Sequence, residues 1–195
     1  MLLDPVTLEG RFVRLEPLVA EHAADLREAA NLPAIWTYMA LDGSGAGFDH
    51  WFATSLASQA KGAELVFAVR HKMSGRAIGS TRYMAIEPAH RRLEIGTTWY
   101  APAMQGGPVN PEAKLLLLRH AFEVLRYHRV ELKCDSRNAR SRAAILKLGA
   151  KYEGLFRKHM VLRDGSLRDT TWFSIIDEEW PEVRAGLERR LSAAQ

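Results

Sequence analysis

One stretch of the chain combines glycine, helix-starting residues and a lysine: Gln105-Gly106-Gly107-Pro108-Val109-Asn110-Pro111-Glu112-Ala113-Lys114. Asn110 has the side chain of a helix N-cap, and Pro111 suits the first helical position. Gly106 and Gly107 would let backbone approach a ligand closely. Free N–H groups at a helix start, with the positive end of the helix dipole behind them, form a ready phosphate site. Lys114, about one turn in, would add a charge. A capped helix without a ligand has the same pattern, so the charge around it matters. Residues 114–168 carry fourteen Lys or Arg against five Asp or Glu, concentrating the modest excess of +4 in one segment. A polyanionic small molecule could sit there; a solvated charged face is the plainer alternative.

Other reactive side chains point nowhere as clearly. Cys134 lies inside an apolar run with no histidine at a telling spacing, which is the setting of a buried structural cysteine. The seven histidines show no paired metal-ligand spacing, so no metal is expected. Trp36, Tyr38 and Trp51 flank a glycine-rich loop and could line an acceptor pocket, although aromatic residues on amphipathic helices are more often core.

These groups belong to a chain of 195 residues with 47% hydrophobic and 26% charged residues, the composition of one globular domain spanning residues 1–195. One cysteine excludes an internal disulfide and fits a reducing, cytoplasmic setting. The longest aliphatic run, residues 115–118, is far too short to span a bilayer, and Asp4-Pro5 interrupts any signal-like start. No membrane or nucleic-acid partner is expected; the basic segment lacks a recognised nucleic-acid motif.

Periodicity and breakers set the elements. Strands are expected at residues 11–18, 65–69, 76–85, 94–100, 130–134, 152–162 and 167–176, the last two joined by the hairpin signal Asp164-Gly165. Helices are expected at residues 20–30, 48–56, 112–126, 138–148 and 178–191, with a short helix in 33–47. Hairpins followed by one strand–helix–strand crossover give an α/β fold with a mixed, mostly antiparallel sheet and flanking helices.

At this level of detail the sequence resembles the GNAT family of acyl-CoA-dependent N-acetyltransferases, in its ribosomal-protein N-terminal acetyltransferase (RimL/RimJ-type) branch. The resemblance rests on EIGTTWY at 94–100, QGGPVNPEAKLLLLRHAFEVL at 105–125, and residues 138–180, with an N-x-x-S helix start, an L-G helix end and a D-G turn. It implies a sheet whose central parallel strands splay apart to admit the pantetheine arm of acetyl-CoA, with no metal.

Residue by residue, the family's pyrophosphate loop falls on Gln105, Pro108 and Asn110, where both usual glycines are replaced. Pro108 has no N–H, so Gly106, Gly107, Val109 and Asn110 would supply the amides, with Lys114 behind them. Asn138 matches a cofactor-contacting asparagine, and Arg142 lies on the same basic helix start. Many members place a thiolate-protonating tyrosine where this chain has Ile145; Ser141 would take that role. Glu94 matches a carboxylate that draws the amine's proton, although pairing with Arg91 or Arg92 is an alternative. Backbone N–H groups around Trp99 and Tyr100 would meet the oxyanion.

The implied reaction is transfer of an acetyl group from acetyl-CoA to a primary amine, a protein N-terminal α-amine in the nearest branch, with a homodimer possible. A small-amine acetyltransferase and a CoA-binding sensor without turnover are the alternatives.

Overall fold

The computed structural model describes residues 3–194. Eight strands form one sheet: β1 (Leu8–Glu9), β2 (Val13–Pro17), β3 (Leu65–His71), β4 (Ala77–Glu87), β5 (Arg92–Tyr100), β6 (Arg129–Asp135), β7 (Lys151–Val161) and β8 (Leu167–Ile176). Their spatial order is β1-β2-β3-β4-β5-β6-β8-β7. Five α-helices flank it: α1 (Ala23–Ala30), α2 (Phe48–Ala60), α3 (Val109–Arg119), α4 (Ala139–Leu146) and α5 (Trp180–Ser192). Residues 33–47 hold only 3-10 turns instead of the short helix expected there.

All neighbouring pairs are antiparallel except β5 and β6. That parallel pair is brief, registering Arg92 with Arg129, Leu93 with Val130 and Glu94 with Glu131, and then ending. Beyond Glu94 the strand stays on β4 alone, and β6 stays on β8 alone. A β-bulge accompanies the parting: Thr97 and Thr98 together oppose Thr81, and Thr97 takes φ of 45°. A β-branched residue at positive φ is strained, and a bulge bends its strand away from regular pairing. The central strands therefore splay, as the family resemblance implies.

Two cores lie on opposite faces. One packs α3, α4 and α5 against the sheet through Val109, Leu117, Ile145, Phe173 and Leu187. The other packs α1 and α2 over β3, β4 and β5, centred on Trp36, Trp51 and Trp99. Trp36 and Trp51 are fully buried, so they are core rather than pocket lining. The second core takes no residue from β6, β7 or β8, which leaves that half of its face without a helix among the described residues.

α3 differs from its expected span. Its first residue is Val109, and the Pro108 carbonyl already accepts the Glu112 N–H at 3.0 Å. Asn110 is thus inside the first turn and not the N-cap. Pro111 is tolerated there because first-turn N–H groups need no intrahelical partner. At the far end α3 passes into a π-turn at His120–Val124. The Tyr83 hydroxyl donates to the Leu117 carbonyl at 2.6 Å, and a side chain inserted into the ladder is a common cause of such turns.

Glu112 anchors this helix to the sheet. Its buried carboxylate accepts the N–H groups of Arg11, Phe12 and Val13 at 2.7, 2.6 and 2.7 Å. Those contacts also explain why strand pairing starts at Val13 rather than at Arg11. Removing the carboxylate would strand buried donors, so Glu112→Ala should lower unfolding stability by ~3 kcal/mol or more in a denaturant titration. A loss below about 1 kcal/mol would show that water replaces the anchor.

Candidate active site

Glu94 stands in the last residue pair before β5 and β6 part. Its carboxylate is buried, and Oε2 lies 2.5 Å from Lys133 Nζ on β6. The partner is therefore Lys133, and not Arg91 or Arg92; Arg92 lies 3.6 Å from Glu131. Burial raises the Glu94 pKa, and the Lys133 charge only partly offsets this. Lys133 is itself held over the Trp172 ring at 4.2 Å. A buried carboxylate at the mouth of a gap, with its pKa raised, is a better proton acceptor than an exposed one.

The gap also presents backbone. The Ala101 N–H donates to the Ile78 carbonyl at 2.8 Å. Alternation along the strand then turns both polar groups of Tyr100 away from β4, toward the gap. Gln105 Nε2 donates to the Tyr100 carbonyl at 3.1 Å, leaving the Tyr100 N–H. The same alternation keeps the Trp99 N–H on the β4 side, and the Trp99 ring lies in the aromatic core 5.2 Å from Trp36 and 5.3 Å from Trp51. Of the two residues expected here, Tyr100 is the one facing the opening.

Two helices begin where the two splayed strands end. α3 starts at Val109 after an exposed loop in which Gly106 has φ of 82° and neither Gly106 nor Gly107 has a neighbour where a Cβ would sit. The Val109 side chain is in the core, while its N–H and that of Asn110 belong to the unpaired first turn. Asn110 Oδ1 accepts from the Tyr100 hydroxyl at 3.3 Å. α4 starts after Asn138, whose Oδ1 caps the Ser141 N–H at 3.0 Å, so its –NH2 remains for a ligand. Ser141 is half-buried with no partner for its hydroxyl among the described residues, and Arg142 is exposed beside it. Ile145 is core and cannot donate a proton.

Gln105 and Arg140 bridge the two helix starts, with Arg140 Nη1 donating to Gln105 Oε1 at 2.7 Å. Residues 33–47 wall the opposite side. Arg163 lies 3.3 Å from both the Asp42 carboxylate and the Trp36 carbonyl, and Arg168 donates to the Tyr38 carbonyl at 3.5 Å. The Asp42–Gly47 loop is thereby tied to the β7–β8 hairpin. Lys133 and Arg140 were not singled out as site residues from the sequence. Only their place in the basic run was visible, because contacts with residues distant in sequence, Glu94 and Gln105, give them their positions.

Lys114 corrects one expectation. Its Nζ donates to Thr98 Oγ1 at 2.7 Å, and Thr98 shares a further hydrogen bond with Thr81 at 2.8 Å. The sixth residue of α3 faces the bulge, so its ammonium supports β5 rather than meeting the phosphate loop.

A sequence profile described as the acetyltransferase (GNAT) domain matches residues 13–151. The chain belongs to the GNAT family. A GCN5-related N-acetyltransferase from Brucella melitensis, solved by crystallography, is 35% identical, with a TM-score of 0.90 over 99% of this chain and 91% of that one. YdaF of Bacillus subtilis (strain 168), provisionally named a ribosomal N-acetyltransferase, is 30% identical over 49% of this chain and 51% of its own length. The chain spans about half the length of the curated relatives it matches. Mycobacterium smegmatis RimJ in complex with CoA-disulfide shares the fold, at 24% identity and a TM-score of 0.79 over 97% of this chain and 95% of that one.

The GNAT family uses acetyl-CoA, and the residues at the splay fit such a molecule. The unpaired strand edges can flank a pantetheine arm, and two helix starts with open glycines suit its phosphates. Arg140 and Arg142 add charge at the rim. No helix among the described residues is long and apolar enough to cross a membrane, and no cluster there offers three metal-ligating side chains. Cys134 is buried 3.1 Å from Thr171 Oγ1, as a structural cysteine would be.

Burial lowers the Lys114 pKa to about 7 from 10.5. Between those values the unfolded chain holds one more proton than the folded one, so stability rises with pH across that window. Below about 7 both states are protonated and the slope vanishes. Urea titrations from pH 7 to 10 should show this rise in the wild type and a flatter profile in Lys114→Met. Parallel profiles would mean that the ammonium is solvated.

Proposed function

We propose that this GNAT chain transfers an acetyl group from acetyl-CoA to a primary amine, and that the amine is the N-terminal α-amine of a peptide or protein. The observation carrying the reading is the placement of Glu94, a buried carboxylate with a raised pKa, at the fork where the strands open. Bound acetyl-CoA would supply an activated thioester carbonyl. Gly106, Gly107, Val109, Asn110 and the Asn138 amide would hold its phosphates and arm, with Gln105 and Arg140 fixing the loop and Arg142 adding charge.

Glu94 then takes the proton that the bound ammonium must lose before its nitrogen can attack the carbonyl. The Tyr100 N–H, fixed by its register on β4, holds negative charge developing at the carbonyl oxygen. The Ser141 hydroxyl relays a proton from solvent to the departing sulfur, since Ile145 has none to give. An α-amine has a pKa of ~7.7–8.0, so a modestly tuned carboxylate suffices; a lysine-type amine near ~10.4 would demand more. The open half-face beside Glu94, walled by residues 33–47, admits an extended chain end more readily than an enclosed cavity would.

Steady-state rates with peptides bearing a free or a blocked N-terminus test the acceptor. Free N-termini should react, and equal rates on blocked peptides would overturn the α-amine reading. The pH dependence of kcat/KM tests Glu94. Activity should fall as acid protonates it, and Glu94→Gln should remove that limb along with most of the rate. Lys133→Met removes the charge favouring the carboxylate, so the acidic limb should move to higher pH. An unmoved limb would take Glu94 out of the chemistry.

Ser141→Ala should lower kcat by ~10²-fold, the usual range for losing a positioned acid, with CoA affinity near wild type. Unchanged kcat would assign proton return to water.

A further inference from the structure

Arg168 is the best-placed cation on the open half-face that has no acidic partner. It lies on β8, on the same face as Thr170 and Trp172, and therefore on the face of Lys133 and Asp135 opposite them. Its Nε donates to Thr170 Oγ1 at 3.0 Å, which folds the side chain back over the sheet. One Nη reaches the Tyr38 carbonyl at 3.5 Å, and the other has no partner among the described residues. No carboxylate of the described residues lies within 4.0 Å of it. The nearby acids are engaged elsewhere: Asp135 by Arg137 at 2.7 Å, Asp42 by Arg163 at 3.3 Å and Glu94 by Lys133 at 2.5 Å. Burial disfavours its charged form, with Asp135 and Glu94 counteracting through space.

A half-buried guanidinium without a counter-ion, tied at both flanks, is costly to maintain unless something anionic meets it. His159 shares the Thr170 hydroxyl from the other side at 3.1 Å, so this neighbour brings no carboxylate to Arg168 either. Trp172 is the residue opposite Lys133, and Arg168 is four positions away from it on β8. At about 3.3 Å per residue that is ~13 Å of strand, shortened by the fold-back over Thr170. An amine at Glu94 would thus have Arg168 within about two or three residues of extended chain.

We propose that Arg168 selects acceptors carrying a carboxylate close to the reacting amine, the acidic side chain of residue two or three in an N-terminal peptide. This rests on the α-amine reading for the identity of the carrier, although the acid preference stands apart from it. A charge-assisted bond from the free Nη favours a carboxylate over a neutral amide, and the positive charge disfavours lysine.

The test compares peptides with a free N-terminal Ser and Asp, Asn or Lys at positions two and three, read as CoA release. Wild type should favour the Asp peptides over the Lys peptides by about tenfold or more in kcat/KM. Arg168→Gln should bring that ratio near one, Arg168→Glu should invert it, and Arg168→Lys should retain part of it. A structural role alone would lower all rates together and leave the ratio intact. An absent wild-type preference, or one that survives in Arg168→Gln, overturns the proposal. If no peptide reacts, small primary amines with and without a carboxylate take their place. An acid preference lost in Arg168→Gln then supports Arg168 and overturns the α-amine reading, while no preference overturns Arg168.

Discussion

The parting of β5 from β6 after three residue pairs is the constraint on which the rest depends. A parallel pair that continued would satisfy every backbone group between the strands and leave nothing for a ligand. Separation leaves donors and acceptors on both inner edges, and buried polar backbone must find partners. Part of the answer is internal, as when Gln105 bonds the Tyr100 carbonyl; the remainder is the opening itself. The bulge at Thr97–Thr98 redirects β5, and the Lys114–Thr98–Thr81 chain braces it from α3.

Helix placement follows from the same fork. α3 and α4 start directly beyond the ends of β5 and β6, so their positive ends converge on one opening at the carboxyl side of parallel strands. α3 is held by Glu112, which fixes the helix start by gripping the amides of Arg11, Phe12 and Val13 where the chain enters β2. The position of the α3 start is therefore a long-range consequence of a contact about a hundred residues apart in sequence.

The opposite face of the sheet has a different character. α1 and α2 cover only the half of the sheet from β2 to β5, and the charged strands β6, β7 and β8 complete the face without a lid. Glu94 lies at the boundary between the covered and uncovered halves, where burial can tune a carboxylate while a substrate still reaches it. Arg163 and Arg168 hold residues 33–47 in place without closing that approach.

Much of this could be read from residue order. Period-two runs gave the strands, Asp164-Gly165 gave the hairpin with Gly165 at φ of 78°, and the N-x-x-S start was realised as Asn138 capping Ser141. These features are local, set by neighbours within a few positions. Glu94, Gln105 and Ser141 were visible only through motif resemblance, while Lys133 and Arg140 were not visible as site residues. The sequence by itself determined the elements, the basic segment and the loop chemistry, because propensity, capping and turn preferences act over short spans. The tertiary structure alone decided that Glu94 pairs with Lys133, that Lys114 turns inward to Thr98, and that Arg168 is left without a carboxylate. Each depends on strand register and on which face a side chain shares, and a single sequence does not encode either one locally.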